Sequence, residues 1–398
     1  MGSNVCLSEL AVWMVVILHS LGSGLAGGRS ITREQYLQMK AHRKSLINRP
    51  AIKSIKATNG DIFDCVDIYK QPALDHTRLK NHTIQMKPST YLLEGIMKNN
   101  NETSPAFKVP KIGLKNGGCP LGTVPIRRVQ IKDTQMMGFP PKFGKKDDDL
   151  PHHYAAMAMK ETQASYGTSA LVNIWKPKVQ HNVQFTLAQI WVTAGPPGES
   201  NYVEVGWHVY PYLNDDYESR LFVLWTADDY KNYCYNFQCQ GYVQVSKNLS
   251  PGMAFEDVSV YGGAQYANYL SIVKDMESGN WLLLWGLANE LIGYWPKDLF
   301  NHLAEKADDL QWGGETYGPI PVPEMGSAHF PEEGYGKACF MAHIRIVDQF
   351  KALRGIDPTE THSKNDVPAC YKSIVSLTPE LGANLFFGGP GGNCVPQS

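Results

Sequence analysis

Residues 201–211 read NYVEVGWHVYP, and large apolar side chains occupy every second position of this stretch. That period is typical of a β-strand with one face buried in a core. The apolar face consists of Val203, Val205, Trp207 and Val209. The opposite face consists of Tyr202, Glu204, Gly206, His208 and Tyr210. The stretch therefore predicts a strand that presents a carboxylate beside a glycine, with aromatic rings on either side.

Similar strand-like runs, separated by turn residues, fill the chain from about residue 165 onward. They include QFTLAQIWVTAG, RLFVLWTAD, GYVQVS, AQYANYLSIVKD and NWLLLWGLA. Residues 278–280 (SGN) are predicted to form a hairpin turn between the last two. Only residues 297–307 (KDLFNHLAEKA) have clear helical periodicity. Many short strands with few helices predict an all-β fold of antiparallel sheets packed as a sandwich.

Residues 29–150 differ from the region that follows. They contain no tryptophan, and Thr32 with Gln35 forms a capping-box pattern that predicts one helix. Residues 139–151 (FPPKFGKKDDDLP) indicate an exposed, cleavable linker. We therefore expect a smaller mixed domain over residues 29–150 and a β-sandwich domain over residues 151–398.

Residues 1–26 resemble an export signal. The apolar run at residues 11–18 is too short to span a bilayer and precedes a stretch of small residues. The segment has Glu9 but no Lys or Arg, which leaves a signal anchor as the alternative. With a formal net charge of -1, the chain gives no electrostatic reason to expect nucleic acid or a membrane surface as a partner. We expect a secreted protein that is free of the membrane after signal removal.

The cysteines and sequons agree with an oxidising, extracellular location. Cys234 and Cys239 bracket a short loop, and a zinc site there would need a second close pair, which the sequence lacks. The three predicted bridges are Cys234–Cys239, Cys370–Cys394 and Cys65–Cys119. Cys339 lies in an apolar run and is predicted to be a buried free thiol. Glycosylation is predicted at Asn81, Asn101 and Asn248.

A second carboxylate has the same setting as Glu204. In residues 311–319 (QWGGETYGP), an extended chain places Glu315 and Gly313 on one face and a tryptophan on the other. We expect each glycine to clear space for a ligand backbone. Two close glutamates would share a proton, so that one activates water and the other protonates a carbonyl or leaving group. Periodicity alone does not bring the two together, and a solvated surface glutamate is the ordinary alternative.

Other catalytic patterns are absent from the sequence. HExxH and GxSxG do not occur, and Gly388–Gly392 lacks the Lys-Ser/Thr of a phosphate loop, so it is interpreted as a turn. His152 and His153 are interpreted as a surface pair rather than a metal site. No cofactor or metal is therefore expected.

Long motifs along most of the chain resemble the plant neprosin family. Residues 52–89 are similar to its activation peptide. The peptidase-like motifs, in order, are EVGWHVYP, RLFVLWTADDY, CYNFQCQGYVQ, GYWPKDLF, WGGE, MGSAHF and FFGGPGGNC. The resemblance implies a secreted glutamic endopeptidase that cleaves after proline, works in acid and is made as a zymogen.

The resemblance also implies roles for individual residues. It assigns the catalytic dyad to Glu204 and Glu315, and it implies that the two carboxylates converge in a β-sandwich. Candidates for the substrate groove are Gln189, Tyr202, Gly206, Tyr210 and Gly313. The substrate would be a polypeptide, and the chain's own amino-terminal segment would cover the groove as inhibitor. Self-processing would occur at Pro140, Pro141 or Pro151.

Two rival functions fit the same residues. A glycosidase also uses two carboxylates on a concave sandwich lined with aromatic rings. A non-catalytic cell-wall or carbohydrate-binding sandwich would keep the fold without the reaction. A prosegment of roughly 120 residues favours the peptidase, because a protease endangers its own cell before export.

Overall fold

The computed structural model describes residues 49–90, 92, 107–128, 150–160 and 164–394. These residues fall within one compact unit, His42–Ser398. Nearly all of their regular structure is β-strand, and the α-helix α1 (Pro211–Asn214) is four residues long. Within the described residues, no helix is long and apolar enough to cross a membrane. The predicted export signal and the helix at Thr32 lie outside the described residues.

The described strands form three antiparallel sheets. The three-stranded sheet has the order β1 (Ala51–Lys56), β2 (Ile62–Asp67), β3 (Thr123–Arg127). The seven-stranded sheet has the order β17 (Thr361–Asn365), β4 (His152–Met159), β14 (Asp309–Tyr317), β6 (Phe185–Ala194), β7 (Asn201–Val209), β8 (Arg220–Thr226), β9 (Tyr233–Tyr235).

The nine-stranded sheet faces the seven-stranded one across the core. Its order is β10 (Val243–Gln244), β13 (Glu290–Trp295), β12 (Trp281–Trp285), β11 (Ala267–Lys274), β5 (Gly167–Asn173), β15 (Cys339–Val347), β19 (Gly382–Gly388), β18 (Lys372–Thr378), and β16 (Leu353–Gly355) pairs with β15. Short 3-10 helices occupy Ile68–Lys70, Pro72–Asp75, Thr77–Leu79, Lys297–Leu299, Pro331–Glu333 and Pro358–Glu360.

The apolar faces of the two large sheets pack together and confirm the predicted β-sandwich. Val203, Val205 and Trp207 enter this core, as the alternation in residues 201–211 predicts. The indole of Trp207 also donates a hydrogen bond of 2.9 Å to the carbonyl of Asn173 in the opposite sheet. The hairpin turn at residues 278–280 is confirmed as well, because β11 and β12 are antiparallel neighbours.

The helix predicted over residues 297–307 is wrong. This segment contains one 3-10 turn, Lys297–Leu299, followed by further turns. Its apolar residues are buried because the loop lies on the core, with Leu299 and Leu303 at most 1% exposed. Its backbone groups bond to side chains elsewhere: Asn201 accepts from two of its amides, and Lys274 donates to two of its carbonyls. These long-range bonds replace the internal bonds of a helix.

The three predicted disulfides are confirmed: Cys65–Cys119, Cys234–Cys239 and Cys370–Cys394. Cys339 is a buried free cysteine, also as predicted, and burial raises the pKa of its thiol. The glycines before Cys394 form bridges with Val322 and Met325 rather than an isolated turn.

The described part of the amino-terminal segment packs on the outer face of the nine-stranded sheet. Apolar residues of the segment, among them Ile68 and Ile84, cluster with Leu282 and Leu284 of that outer face. Gln71 and Gln244, both fully buried, exchange hydrogen bonds across the contact. Asp61 of the segment also forms an ion pair with Arg220, the first residue of β8 in the seven-stranded sheet.

Candidate functional site

Glu204 and Glu315 project from the same outer face of the seven-stranded sheet. Glu204 lies on β7 and Glu315 on β14, and β6 runs between these two strands. Glu204 pairs with Trp191 of β6, whereas Glu315 pairs with Leu187 four residues away, so the two glutamates are offset diagonally. Both carboxylates are buried, with 1% and 2% exposure.

Gln189 lies between the two glutamates. In the register of the sheet it pairs with Gly206 on one side and with Gly313 on the other. Both neighbours therefore lack a side chain, which leaves room for the glutamine amide to reach a carboxylate. Its Nε2 atom donates a hydrogen bond of 3.3 Å to Glu315 Oε2.

The two glycines are required by the sheet itself, rather than by the ligand that the sequence pattern suggests. A Cβ on Gly206 would meet the carbonyl oxygen of Ala188 at 1.9 Å. Gly313 has φ +147°, and a Cβ there would meet the backbone of Ala155 and Ala156 at 2.5 Å. Close approach of neighbouring backbones therefore explains both positions.

The two carboxylates have different hydrogen-bond partners. Glu204 accepts from the phenol of Tyr230, and its Oε2 atom has no hydrogen-bond partner among the described residues. Glu315 lies with Oε1 at 2.6 Å from Nδ1 of His152 and also accepts from Gln189. Glu315 therefore has more hydrogen-bond partners than Glu204.

Burial raises the pKa of Glu204 to about 8. The hydrogen bond from Tyr230 and the nearby amide of Gln189 oppose this rise, while the negative charge of Glu315 adds to it. Burial also raises the pKa of Tyr154, to which the charges of both glutamates contribute. Glu204 consequently keeps its proton through the acid and neutral range, and the pair carries one negative charge at most under those conditions.

Aromatic rings surround the carboxylates. Tyr202 lies against Tyr230 with ring centroids 4.5 Å apart, and Tyr154 lies near Trp191 at 6.5 Å. Tyr210, a predicted groove residue, is fully buried in an aromatic cluster at the end of β7. Leu150, the last residue of the predicted prosegment, packs against the same cluster.

His152 and His153 are not the surface pair that the sequence suggests. They lie on opposite faces of β4: His152 contacts Glu315, and His153 is 5% exposed with its ring 6.0 Å from that of Tyr371. The alternation of HHYAAMAM already places His152 and Tyr154 on one face, but nothing local shows that this face meets Glu315.

Sequence reasoning also missed Tyr230, which comes from a loop without periodicity, and Trp191, which shares a strand face with Gln189. In the described part of the chain, no group of three or more His, Cys, Asp or Glu side chains could hold a metal ion. Of the predicted glycosylation sites, Asn81 is exposed and Asn248 is partly buried with its Oδ1 atom enclosed. Asn101 lies outside the described residues, and glycosylation stays a prediction.

Comparisons with known proteins give two family matches. A family model described as Neprosin matches residues 182–390, and one described as Neprosin activation peptide matches residues 54–171. Similar solved structures include scytalido-glutamic peptidase with a transition state analog inhibitor, at 9% identity and a TM-score of 0.33. A second structure of that peptidase, with a peptide based transition state analog, has 7% identity and a TM-score of 0.31. Each alignment covers 60% of this chain and 98% of the other, and at these scores neither carries an argument about function.

Proposed function

Because this chain belongs to the neprosin family of peptidases and carries its activation peptide, we propose that it is a secreted glutamic endopeptidase made as a zymogen. Glu204 and Glu315 are its catalytic dyad. The observation that carries the proposal is the pair of buried carboxylates on one sheet face, with Gln189 between them. Burying two carboxylates on one sheet face is costly for stability, which favours a functional reason for the arrangement.

The different environments of the two glutamates support separate roles. Glu204 has the raised pKa and holds a proton, so it is the acid. Glu315 accepts hydrogen bonds from Gln189 and, when ionised, from Nδ1 of His152, so it is the base. Two titratable groups in unlike environments are typical of acid–base pairs in active sites.

Hydrolysis then proceeds without a covalent intermediate. Glu315 takes a proton from the attacking water while Glu204 gives its proton to the oxygen of the scissile carbonyl. When the C–N bond breaks, the leaving nitrogen takes the proton from Glu315, and Glu204 recovers one from the hydroxyl formed on the carbonyl carbon. Both residues return to their starting protonation states.

Cleavage after proline is the proposed specificity. The family resemblance suggests it, and the apolar ring faces of Trp191 and Tyr154 beside the dyad suit a pyrrolidine ring. Processing after Pro140, Pro141 or Pro151 would separate the prosegment, residues 29–150, from the catalytic domain, residues 151–398. Residues 1–26 act as the signal peptide for export.

Peptide mapping by mass spectrometry tests the dyad. The secreted protein is incubated with denatured substrate proteins at about pH 3 and pH 7, beside the Glu204→Gln and Glu315→Gln variants. We expect acid-dependent cuts after proline from the parent protein and a loss of at least about 100-fold in each variant, because each removes one proton-transfer group. Amino-terminal peptides of the protein itself report where the prosegment is cut.

The control is Glu290→Gln, at an exposed strand end remote from the dyad, which should cut as the parent does. Substantial cutting by either dyad variant would contradict the assigned roles. If correctly processed parent protein cuts no peptide bonds, the peptidase proposal fails. Release of oligosaccharides, or sugar binding that both variants retain, would then support the glycosidase or the binding protein.

A further inference from the structure

We propose that Tyr230 is a positioning residue that fixes Glu204 through its phenol and thereby sets the pH range in which the dyad works. This inference rests on the proposed function. The phenol donates its hydrogen bond to Oε1 of Glu204. Tyr230 is 5% exposed, so this bond is shielded from water.

The loop that carries Tyr230 is held in a costly conformation. Asp229 and Tyr230 have φ values of +56° and +57°, a region that side chains other than glycine rarely adopt. Residues in such conformations are strained and persist where the surrounding structure holds them. The strain is therefore consistent with a functional role for the loop.

Specific bonds hold this conformation. The hydroxyl of Thr226 accepts from the amide of Tyr230 at 3.2 Å, and the amide of Asp229 donates to the carbonyl of Ser200 at 2.8 Å. The carboxylate of Asp229 accepts from the amide of Gly198 at 2.8 Å. The loop is thus tied to the turn before β7, the strand that carries Glu204.

The phenol acts against the other influences on Glu204. It favours the ionised carboxylate, whereas burial and the charge of Glu315 favour the protonated one. The polar and titratable groups facing Glu204 are Gln189 of β6, Glu315 of β14, Tyr154 of β4, Tyr235 of β9 and Tyr202 of its own strand. Among the donors, Tyr230 makes the direct bond, so its removal should raise the pKa of Glu204.

The test is Tyr230→Phe, which keeps the ring and removes the donor. The titration of the Glu204 carboxyl is followed in the full chain by ¹³C NMR, with Glu204→Gln assigning the signal. We expect the midpoint to rise by about one pH unit. In processed protein, the limb of the pH–rate profile that reports Glu204 should move upward by the same amount. Incorporating 3-fluorotyrosine at position 230 makes the phenol a stronger hydrogen-bond donor. It should lower both the midpoint of the Glu204 titration and the pH of that limb of the profile.

Tyr261→Phe is the matched control, because it removes a phenol-to-carboxylate bond of 2.6 Å at the exposed Glu333. Tyr261→Phe should leave the Glu204 titration and the pH–rate profile unchanged. An unchanged Glu204 titration in both position-230 proteins would overturn the inference. If that titration shifts as expected but parent protein cuts no peptide, the proposed function fails instead.

Discussion

Single residues in this sheet are constrained by their neighbours across strands. Gly206 illustrates this, since the carbonyl of Ala188 occupies the place that its Cβ would take. The oxygen belongs to the backbone, so no side-chain rotation can relieve the contact. Because β7 carries Glu204, the absence of a side chain at position 206 helps to set how close Glu204 lies to β6.

Replacing Gly206 by alanine should lower the free energy of unfolding by about 1–3 kcal/mol, because β6 and β7 must separate to admit a methyl group. Thermal unfolding of the full chain measures the loss. Gly355→Ala is the control: it also lies in a strand, and its added Cβ would meet nothing within 4 Å. Equal melting temperatures for the two variants would refute the close approach.

At the scale of elements, the loop over residues 297–307 depends on side chains from other segments. Asn201 Oδ1 accepts from the amides of His302 and Leu303 at 2.9 and 3.1 Å, and Asn201 is fully buried. One asparagine therefore replaces the carbonyls of residues 298 and 299, to which these amides would bond in an α-helix. The loop in turn covers the core beside Trp281, whose indole donates to the carbonyl of Leu303.

Asn201→Ala should cost about 1–3 kcal/mol, because it leaves the buried amide of Leu303 without its acceptor and the amide of His302 with only the exposed Asn301. Urea unfolding gives the free energy, and hydrogen exchange should show faster exchange at residues 302 and 303. Asn301→Ala is the control, since the exposed Asn301 also accepts from the amide of His302. Slow exchange in the Asn201 variant would show that the loop holds its shape by other means.

At the scale of the whole molecule, an ion cluster joins the amino-terminal segment to the sandwich. Asp61 pairs with Arg127 of β3 and with Arg220 of β8, whose side chain is fully buried. Burial alone would raise the pKa of Asp61, but the charges and hydrogen bonds of Arg220 and the charge of Arg127 lower it overall. The pairing therefore stabilises the fold above the unfolded pKa of about 4 and is lost as the pH falls through the lower folded pKa.

Asp61→Asn should cost about 2 kcal/mol at pH 7, because Arg220 loses a charged partner but keeps Asp216. The melting temperature should fall by roughly 2–3 °C at pH 7. As the pH falls through the folded pKa of Asp61, the difference from the parent should shrink, because the carboxyl is then protonated in both the folded and the unfolded state. Asp64→Asn is the control, because Asp64 pairs with Arg128 near the end of its own sheet. A pH-independent difference for Asp61→Asn would contradict the linkage.

Much of the site follows from local patterns. The alternation in residues 201–211 and 311–319 predicts which face carries Glu204 and Glu315, and the strand QFTLAQIWVTAG places Gln189 and Trp191 on one face. These predictions succeed because strand period is a property of adjacent residues. Tyr230 and His152 have no comparable signal, since their partners are 26 and 163 residues away.

The sequence by itself determined the β-sandwich class, the core-facing residues of its main strands and the family. The tertiary structure decided that β6 runs between the two glutamate strands, that residues 297–307 form a loop rather than a helix, and that the described amino-terminal segment covers the opposite sheet. The physical reason is the separation along the sequence of the residues that interact. Periodicity and turn chemistry act over a few residues, whereas strand order and the satisfaction of buried polar groups depend on contacts between distant parts of the chain.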